Sequence, residues 1–296
     1  MTANKVIVAG HGQMGHAMEA LLAQRAELVI WPISPADLEP PAAVRAAAAE
    51  ADFLLICTPT VAHAAVLHGL AYLLRPGTAL LSIAKGLDEI GRCAAEILQG
   101  HWDGRSWGVL GGPMIANEII AGKPAFAALG SHDTELLART RDLYPRPGLS
   151  IAGIYHPQTI SWCGVLKNIY APLVGVSDEL GWGENARGHI VMAALREMHS
   201  ILGELTGDEM QVYADAGLAD FVTTVTSPNS HHYALGRRIA RGDFQNLECE
   251  GVHSLRVLRS RDHIASGKHR LLEIVTHLVE DRSRLVPALH NWLTSA

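Results

Sequence analysis

Residues 6–23 read VIVAGHGQMGHAMEALLA, and the fold turns on how this stretch is parsed. Residues 5–10, KVIVAG, form a continuous apolar run of strand length, and residues 17–25, AMEALLAQR, read as helix. Between them Gly10, Gly12 and Gly15 make a GxGxxG spacing. Gly10 permits a tight turn, Gly12 lets a pyrophosphate reach the backbone, and Gly15 lets the helix sit close to the strand. Free N–H groups and the positive dipole end of that helix would hold the phosphates. The spacing alone is common. A strand before it and a helix after it supply the context that a dinucleotide site demands. The three glycines, with His11, Gln13 and Met14 between them, are therefore cofactor-side candidates.

Working outward, further apolar runs of strand length occur at 28–31 (LVIW), 53–57 (FLLIC), 79–83 (ALLSI), 108–112 (GVLGG) and 125–129 (AFAAL). Such runs suit strands covered on both faces. Helical stretches such as 93–99, CAAEILQ, lie between them, and this rhythm predicts a doubly wound, mostly parallel sheet of Rossmann type. The strand pattern fades over 150–158, SIAGIYHPQ, and from about Ser161 the text is helical almost to the end. The expected division is a dinucleotide-binding domain over 1–156 and an all-α substrate domain over 157–296. The second strand ends VIWPISPAD, with no Asp, Glu or Arg at its tip to read the adenosine ribose. Asp37 comes too late, and Ser34 could face either a bare ribose or a 2′-phosphate, so NAD and NADP both stay open.

The chain of 296 residues is 48% hydrophobic and 18% charged, enough for a substantial core. A net charge of −6 without a Lys/Arg block argues against nucleic acid, while a small anion held by a few local cations remains admissible. Cys57, Cys93, Cys163 and Cys249 are scattered with no CxxC pair, which suits reduced thiols in a cytoplasm rather than a disulfide framework or zinc knuckle. No signal-peptide h-region and no apolar run of about 18 residues is seen, so no membrane span is expected.

A second stretch carries the chemistry. Residues 162–175, WCGVLKNIYAPLVG, are apolar and small except for Lys167 and Asn168. Burying an unpartnered ammonium is costly, so Lys167 either reaches the surface or is held inside for a reaction. On a helix, Gly164, Lys167, Ala171 and Gly175 share one stripe, small enough to leave room for a nicotinamide ring and a compact substrate. Pro172 would free a carbonyl one turn back, that of Asn168. Spacing alone leaves both readings of the lysine open.

The segments SIAKGLDE (82–89), LGGPMIANEIIAG (110–122), GVLKNIYAPLVGVSDELGWGENARG (164–188) and YADAGLADFVTTVTSPNSHHYALGRRIARG (213–242) occur in that order. Together they resemble the NAD(P)-dependent glycerol-3-phosphate dehydrogenases over nearly the whole chain. The resemblance implies reduction of dihydroxyacetone phosphate to glycerol 3-phosphate, and a dimer through the helical domain. It implies that Lys167 donates the proton as hydride reaches the carbonyl carbon, with Lys85 and Asp220 completing the catalytic set. Asn168, Thr224, Gly112 and the 230–232 segment fall at substrate-side positions, and Ala116, Pro59, Lys85 and Glu250 at cofactor-side ones.

The departures concentrate at one end of the site. The family's Ser-Arg-Asn, whose arginine grips phosphate, reads Ser230-His231-His232 here, and the family's serine after Gly-Gly-Pro-type text is Met114. Gln13-Met14 stands where Ser-Trp is common, and the connection between strands two and three is short. Arg237 or Arg238 could supply the missing cation by sharing a helical face with His231. A metal on His231-His232 would lack a third ligand, and none is expected. Three functions stay open: the family reaction, the same hydride chemistry on another small ketone, aldehyde or hydroxy acid, and a dinucleotide-binding sensor without turnover. The β-hydroxyacid dehydrogenases fit less well, because their Asn four residues after the lysine is Ala171 here.

Overall fold

A computed structural model describes residues 3–34, 38–102, 104–261, 264 and 267–295; Asp37 lies outside the described residues. Seven strands form one sheet: β1 (Asn4–Ala9), β2 (Ala26–Trp31), β3 (Phe53–Ile56), β4 (Ala79–Ser82), β5 (Trp107–Gly111), β6 (Ala125–Gly130) and β7 (Leu149–Tyr155). Their order is β2-β1-β3-β4-β5-β6-β7; only β5 and β6 pair antiparallel. The chain moves from β1 to β2 on one side, then crosses to β3 on the other. That switch point opens a crevice at the carboxyl ends of the strands. Helices α1 (Gln13–Leu22), α2 (Ala42–Ala48), α3 (His63–Leu70), α4 (Ala94–Trp102), α5 (Ala116–Ile120) and α6 (Thr134–Leu143) connect the strands.

The apolar runs end within a residue or two of the expected strands, because β3, β4 and β5 are buried along their whole length. Two departures follow from edge position. β2 is only partly buried. β7 is a seventh strand where the strand pattern was expected to fade, since an edge strand needs no unbroken apolar run.

After β7 the chain is helical: α7 (Pro157–Glu179), α8 (Glu184–Thr206), α9 (Asp220–Thr226), α10 (His231–Ala240), α11 (Glu250–Arg261), α12 (Arg270–Val275) and α13 (Leu285–Thr294). A π-helical turn, Asp215–Ala219, runs directly into α9. Helix α7 is the axis, buried almost all round and unbroken through Pro172. Its first turn seats on the sheet, where a Cβ at Gly130 would stand 2.7 Å from Pro157 Cα and one at Gly111 2.8 Å from Ile160 Cγ2.

The small stripe on α7 serves packing rather than an open pocket, which corrects one expectation. A Cβ at Gly164 would stand 2.9 Å from Lys85 Cγ, and one at Gly175 would overlap the Tyr233 carbonyl oxygen of α10. From the other side, a Cβ at Gly236 would overlap the Pro172 carbonyl oxygen. The α7 and α10 backbones touch, and neither can yield without moving a helix. Gly236→Ala is therefore expected to cost about 3 kcal/mol and lower the thermal unfolding midpoint by several degrees, an overpacking penalty. An unchanged midpoint would show that the two helices can separate freely.

Candidate functional site

The carboxyl ends of β1, β4 and β5 meet α7, α9, α10 and α11 around a cleft of about 490 Å³. From the opening of α1 come Gln13 and Met14, from the segment after β4 Ile83 and Lys85, and from the segment after β5 and the start of α5 Met114 to Asn117. Helix α7 contributes Lys167 and Asn168, and α11 contributes Glu250. Segments far apart in sequence thus place cations, carboxylates and amides in one space.

Lys167 is 6% exposed, in mid-helix, so it does not reach bulk water. Its Nζ donates to Thr224 Oγ1 at 2.6 Å and stands 3.3 Å from Asp220 Oδ1. Burial brings its ammonium down to about 8; Asp220 opposes the fall and Lys85 adds to it. Lys85 Nζ donates to Asp220 Oδ2 at 2.6 Å and to the Gly112 carbonyl at 2.9 Å. Asp220, 3% exposed, thus bridges two ammonium groups, one on each oxygen. Asn168 Nδ2 donates to the Lys85 carbonyl at 3.1 Å, which fixes the segment after β4 against α7. Its Oδ1 is buried without a partner among the described residues.

Glu250 is not a solvated glutamate. A Cβ at Gly86 would stand 2.6 Å from its Cγ, and burial raises its carboxyl above the ordinary range. The Thr60 N–H reaches its Oε1 at 3.5 Å. Pro59, one residue earlier, is exposed at the start of that turn. Ala116 opens α5 at the cleft, and Gly112, at φ +146°, lets its carbonyl turn toward Lys85.

At the opposite end Ser230 caps α10, its Oγ accepting from the Tyr233 N–H at 3.2 Å. His231 is exposed on the cleft, and His232 Nε2 accepts from the Gly251 N–H at 3.2 Å. Burial first, then the charges of Lys167, His231 and Lys85, push the His232 imidazole down to about 3, so it is neutral at ordinary pH. The substitute cations that the sequence left open are elsewhere. Arg237 pairs with Glu179 at 2.7 Å and Arg238 with Asp243 at 2.7 Å, and neither lines the cleft. Both sit on α10, but their sides of the helix carry them to carboxylates outside the cleft.

The glycine turn fits a dinucleotide. Gly10 donates its N–H to the Trp31 carbonyl, and a Cβ on it would stand 2.8 Å from Thr58 N. A Cβ at Gly15 would overlap the Gly10 carbonyl oxygen, while the space beside Gly12 is open. Helix α1 begins with no side-chain cap and no acidic residue in its first turn, leaving N–H donors for a pyrophosphate. His11 turns its ring away from the cleft onto Glu19, and Ser34 is exposed beyond the tip of β2.

The sequence reading passed over Thr223 and Ser227, which line the cleft with Asp220 and Thr224. Positions 220, 223, 224 and 227 follow helical spacing, so one face of α9 could have been read as a unit.

Residues 32–137 match the family model described as NAD-dependent glycerol-3-phosphate dehydrogenase N-terminus, and 157–286 match its C-terminus counterpart. The glycerol-3-phosphate dehydrogenase [NAD(P)+] of Deinococcus radiodurans is 32% identical over 250 residues, covering 79% of this chain and 75% of that protein. The protein of that name from Nitratidesulfovibrio vulgaris is 31% identical over 265 residues, 80% of each chain. The crystal structure of glycerol-3-phosphate dehydrogenase from Coxiella burnetii shares the fold, with a TM-score of 0.85 at 21% identity over 98% of this chain and 99% of that one. The chain belongs to the NAD-dependent glycerol-3-phosphate dehydrogenase family.

Proposed function

We infer that the cleft interconverts dihydroxyacetone phosphate and glycerol 3-phosphate, with Lys167 moving the proton at the carbonyl oxygen. The observation that carries this reading is a lysine buried at the cleft, lowered to about 8 and held by Thr224 and Asp220. An ammonium has three donors, and one remains for a substrate oxygen after Thr224 and Asp220 are served. A value near operating pH suits an acid that must also act as base in reverse. The bound nicotinamide supplies or accepts the hydride. Asp220 keeps Lys167 charged and orients it; Lys85, anchored on Gly112, presents a second positive charge to the developing alkoxide. Asn168, whose Nδ2 holds the Lys85 carbonyl, would stand on the substrate side of the cleft.

Gly10, Gly12 and Gly15, with Gln13 and Met14, would take the pyrophosphate, while Ala116, Pro59 and Glu250 would stand along the rest of the cofactor. The substrate in this reading is anionic, its charged tail lying toward Ser230, His231 and His232. The reading includes a homodimer, which sedimentation would check, and a cytoplasmic setting, which suits four unpaired cysteines.

One observation favours a second substrate. The neutral His232, with Arg237 and Arg238 paired elsewhere, leaves the phosphate end without a permanent cation among the described residues. The same hydride chemistry on a ketone, aldehyde or hydroxy acid with a weaker or differently placed anion would fit that end. The test is oxidation of NADH and NADPH against dihydroxyacetone phosphate, dihydroxyacetone, glyoxylate, hydroxypyruvate and tartronate semialdehyde. Fastest turnover of dihydroxyacetone phosphate supports the first reading, and preference for another carbonyl replaces it with the second. With dihydroxyacetone phosphate, His231→Arg should lower KM by about fivefold to tenfold, the gain of a charge-assisted bidentate contact. An unchanged or higher KM would mean that His231 does not face the phosphate.

A further inference from the structure

Outside the cleft, three side chains near the glycine turn converge, and none of them lines the cleft. His16 and Glu19 are three apart on α1 and share a face. His11, from the turn itself, lies back over the same helix, its Cδ2 3.7 Å from where a Cβ on Gly15 would be. His11 Nε2 is 2.7 Å from Glu19 Oε2 and His16 Nδ1 is 3.7 Å from the same oxygen. The three ligand atoms lie within 4.8 Å of one another, and the two imidazole rings stand 3.8 Å apart between centroids.

Two imidazoles and a carboxylate are the donor set of a borderline divalent cation such as zinc, cobalt or nickel. Metal–ligand bonds of about 2.0–2.1 Å in a tetrahedron put neighbouring ligand atoms about 3.3 Å apart. The observed 2.7 and 3.7 Å to Glu19 bracket that edge, and the two imidazole nitrogens lie within 4.8 Å of each other, so small side-chain shifts would seat an ion. Side-chain exposures of 23% for His11, 54% for His16 and 41% for Glu19 leave an entry path and a fourth position for water. Among the described residues Glu19 pairs with these imidazoles and with no lysine or arginine, so no fixed cation already occupies the place.

We propose that His11 Nε2, His16 Nδ1 and the Glu19 carboxylate bind one zinc-class divalent cation, with water completing the tetrahedron. The ion ties the loop residue of the glycine turn to α1 on the flank away from the cleft, because none of the three ligands lines it. Two neutral imidazoles and one carboxylate carry a single negative charge, which the ion reverses. Protons compete with a metal ion for its ligands, so binding weakens as pH falls.

The test titrates the full-length protein, stripped with a chelator, with Zn2+ by calorimetry and with Co2+ by visible absorption. It compares the wild type with His16→Ala and Glu19→Gln. The expected result is one equivalent bound with tetrahedral Co2+ bands, and affinity at least about tenfold weaker in either variant, the loss of one ligand of three. Zn2+ should raise the thermal midpoint of the wild type and leave those of the variants unchanged. Both substitutions are on exposed side chains, and metal-free midpoints equal to that of the wild type establish intact folding. Absence of saturable binding, or equal affinity in the wild type and both variants, would overturn the site and assign any binding to other surface histidines.

Discussion

Lys167→Ala is expected to slow carbonyl reduction by about a thousandfold or more while NAD(P)H affinity stays within a few-fold. General acid catalysis by a positioned side chain contributes about 10²–10⁴, and loss of the positive charge removes alkoxide stabilisation as well. The cofactor is spared because the glycine turn and the opening of α1 belong to the sheet domain, while the lysine projects from α7. Removing it leaves Asp220 paired with Lys85, so no carboxylate is stranded. Lys167→Arg should not rescue the rate, because a guanidinium does not release its proton near neutrality.

The pH profile gives a sharper signature. If Lys167 moves the proton, reduction needs its ammonium and oxidation its free amine. With Lys167 near 8, the reductive rate should fall above about pH 8, and the oxidative rate should rise through the same point. Both limbs should vanish in Lys167→Ala. Activity retained by the alanine variant would remove Lys167 from the chemistry. Cofactor affinity lost together with activity would make it a structural residue.

How much of this could be read beforehand depended on whether a residue's partner lies nearby in sequence. The glycine turn, the strands β3 to β5 and α7 were legible because local periodicity and continuous apolarity report burial directly. The stripe of Gly164, Ala171 and Gly175 was legible as a face, but not what covers it. A small surface can admit a ligand or another backbone equally well, and here Lys85 and α10 fill it. Whether Arg237 or Arg238 reaches the cleft stayed open for a related reason. Their spacing from His231 was plain, but Glu179 and Asp243, which claim them, are in a different helix and in the loop after α10. The edge strand β7 was hidden because exposure on one side dilutes the apolar run that marks a central strand. Asp220 shows the limit most clearly. Its resemblance position could be stated, but nothing in its own sequence context says that it must hold two lysines.

That double duty makes Asp220→Asn the second large effect. The carboxylate is buried, with Lys85 at 2.6 Å on one oxygen and Lys167 at 3.3 Å from the other. An asparagine of the same shape leaves two ammonium groups facing each other across a neutral amide. Breaking a buried ion pair by removing one partner costs about 3–5 kcal/mol, since the remaining charge is uncompensated. The protein can escape part of this cost by deprotonating the lysine it buries more deeply. The sign follows: Asp220 raises the Lys167 value, so its loss drives that value further below about 8. Reduction should then decline from a lower pH than in the wild type, and activity at pH 8 should fall by about a hundredfold. Acidification should recover part of it, as the ammonium returns. The check is a pH–rate profile paired with thermal unfolding, run beside the double variant Lys85→Met/Asp220→Asn. Deleting one ammonium restores the charge balance, so the double variant should regain stability and an upper pH limit nearer the wild type, while the rate stays low for want of Lys85. A single variant whose pH limit stays in place would mean that Asp220 sets no charge on Lys167, and that the lysine is tuned by burial and its other charged neighbours.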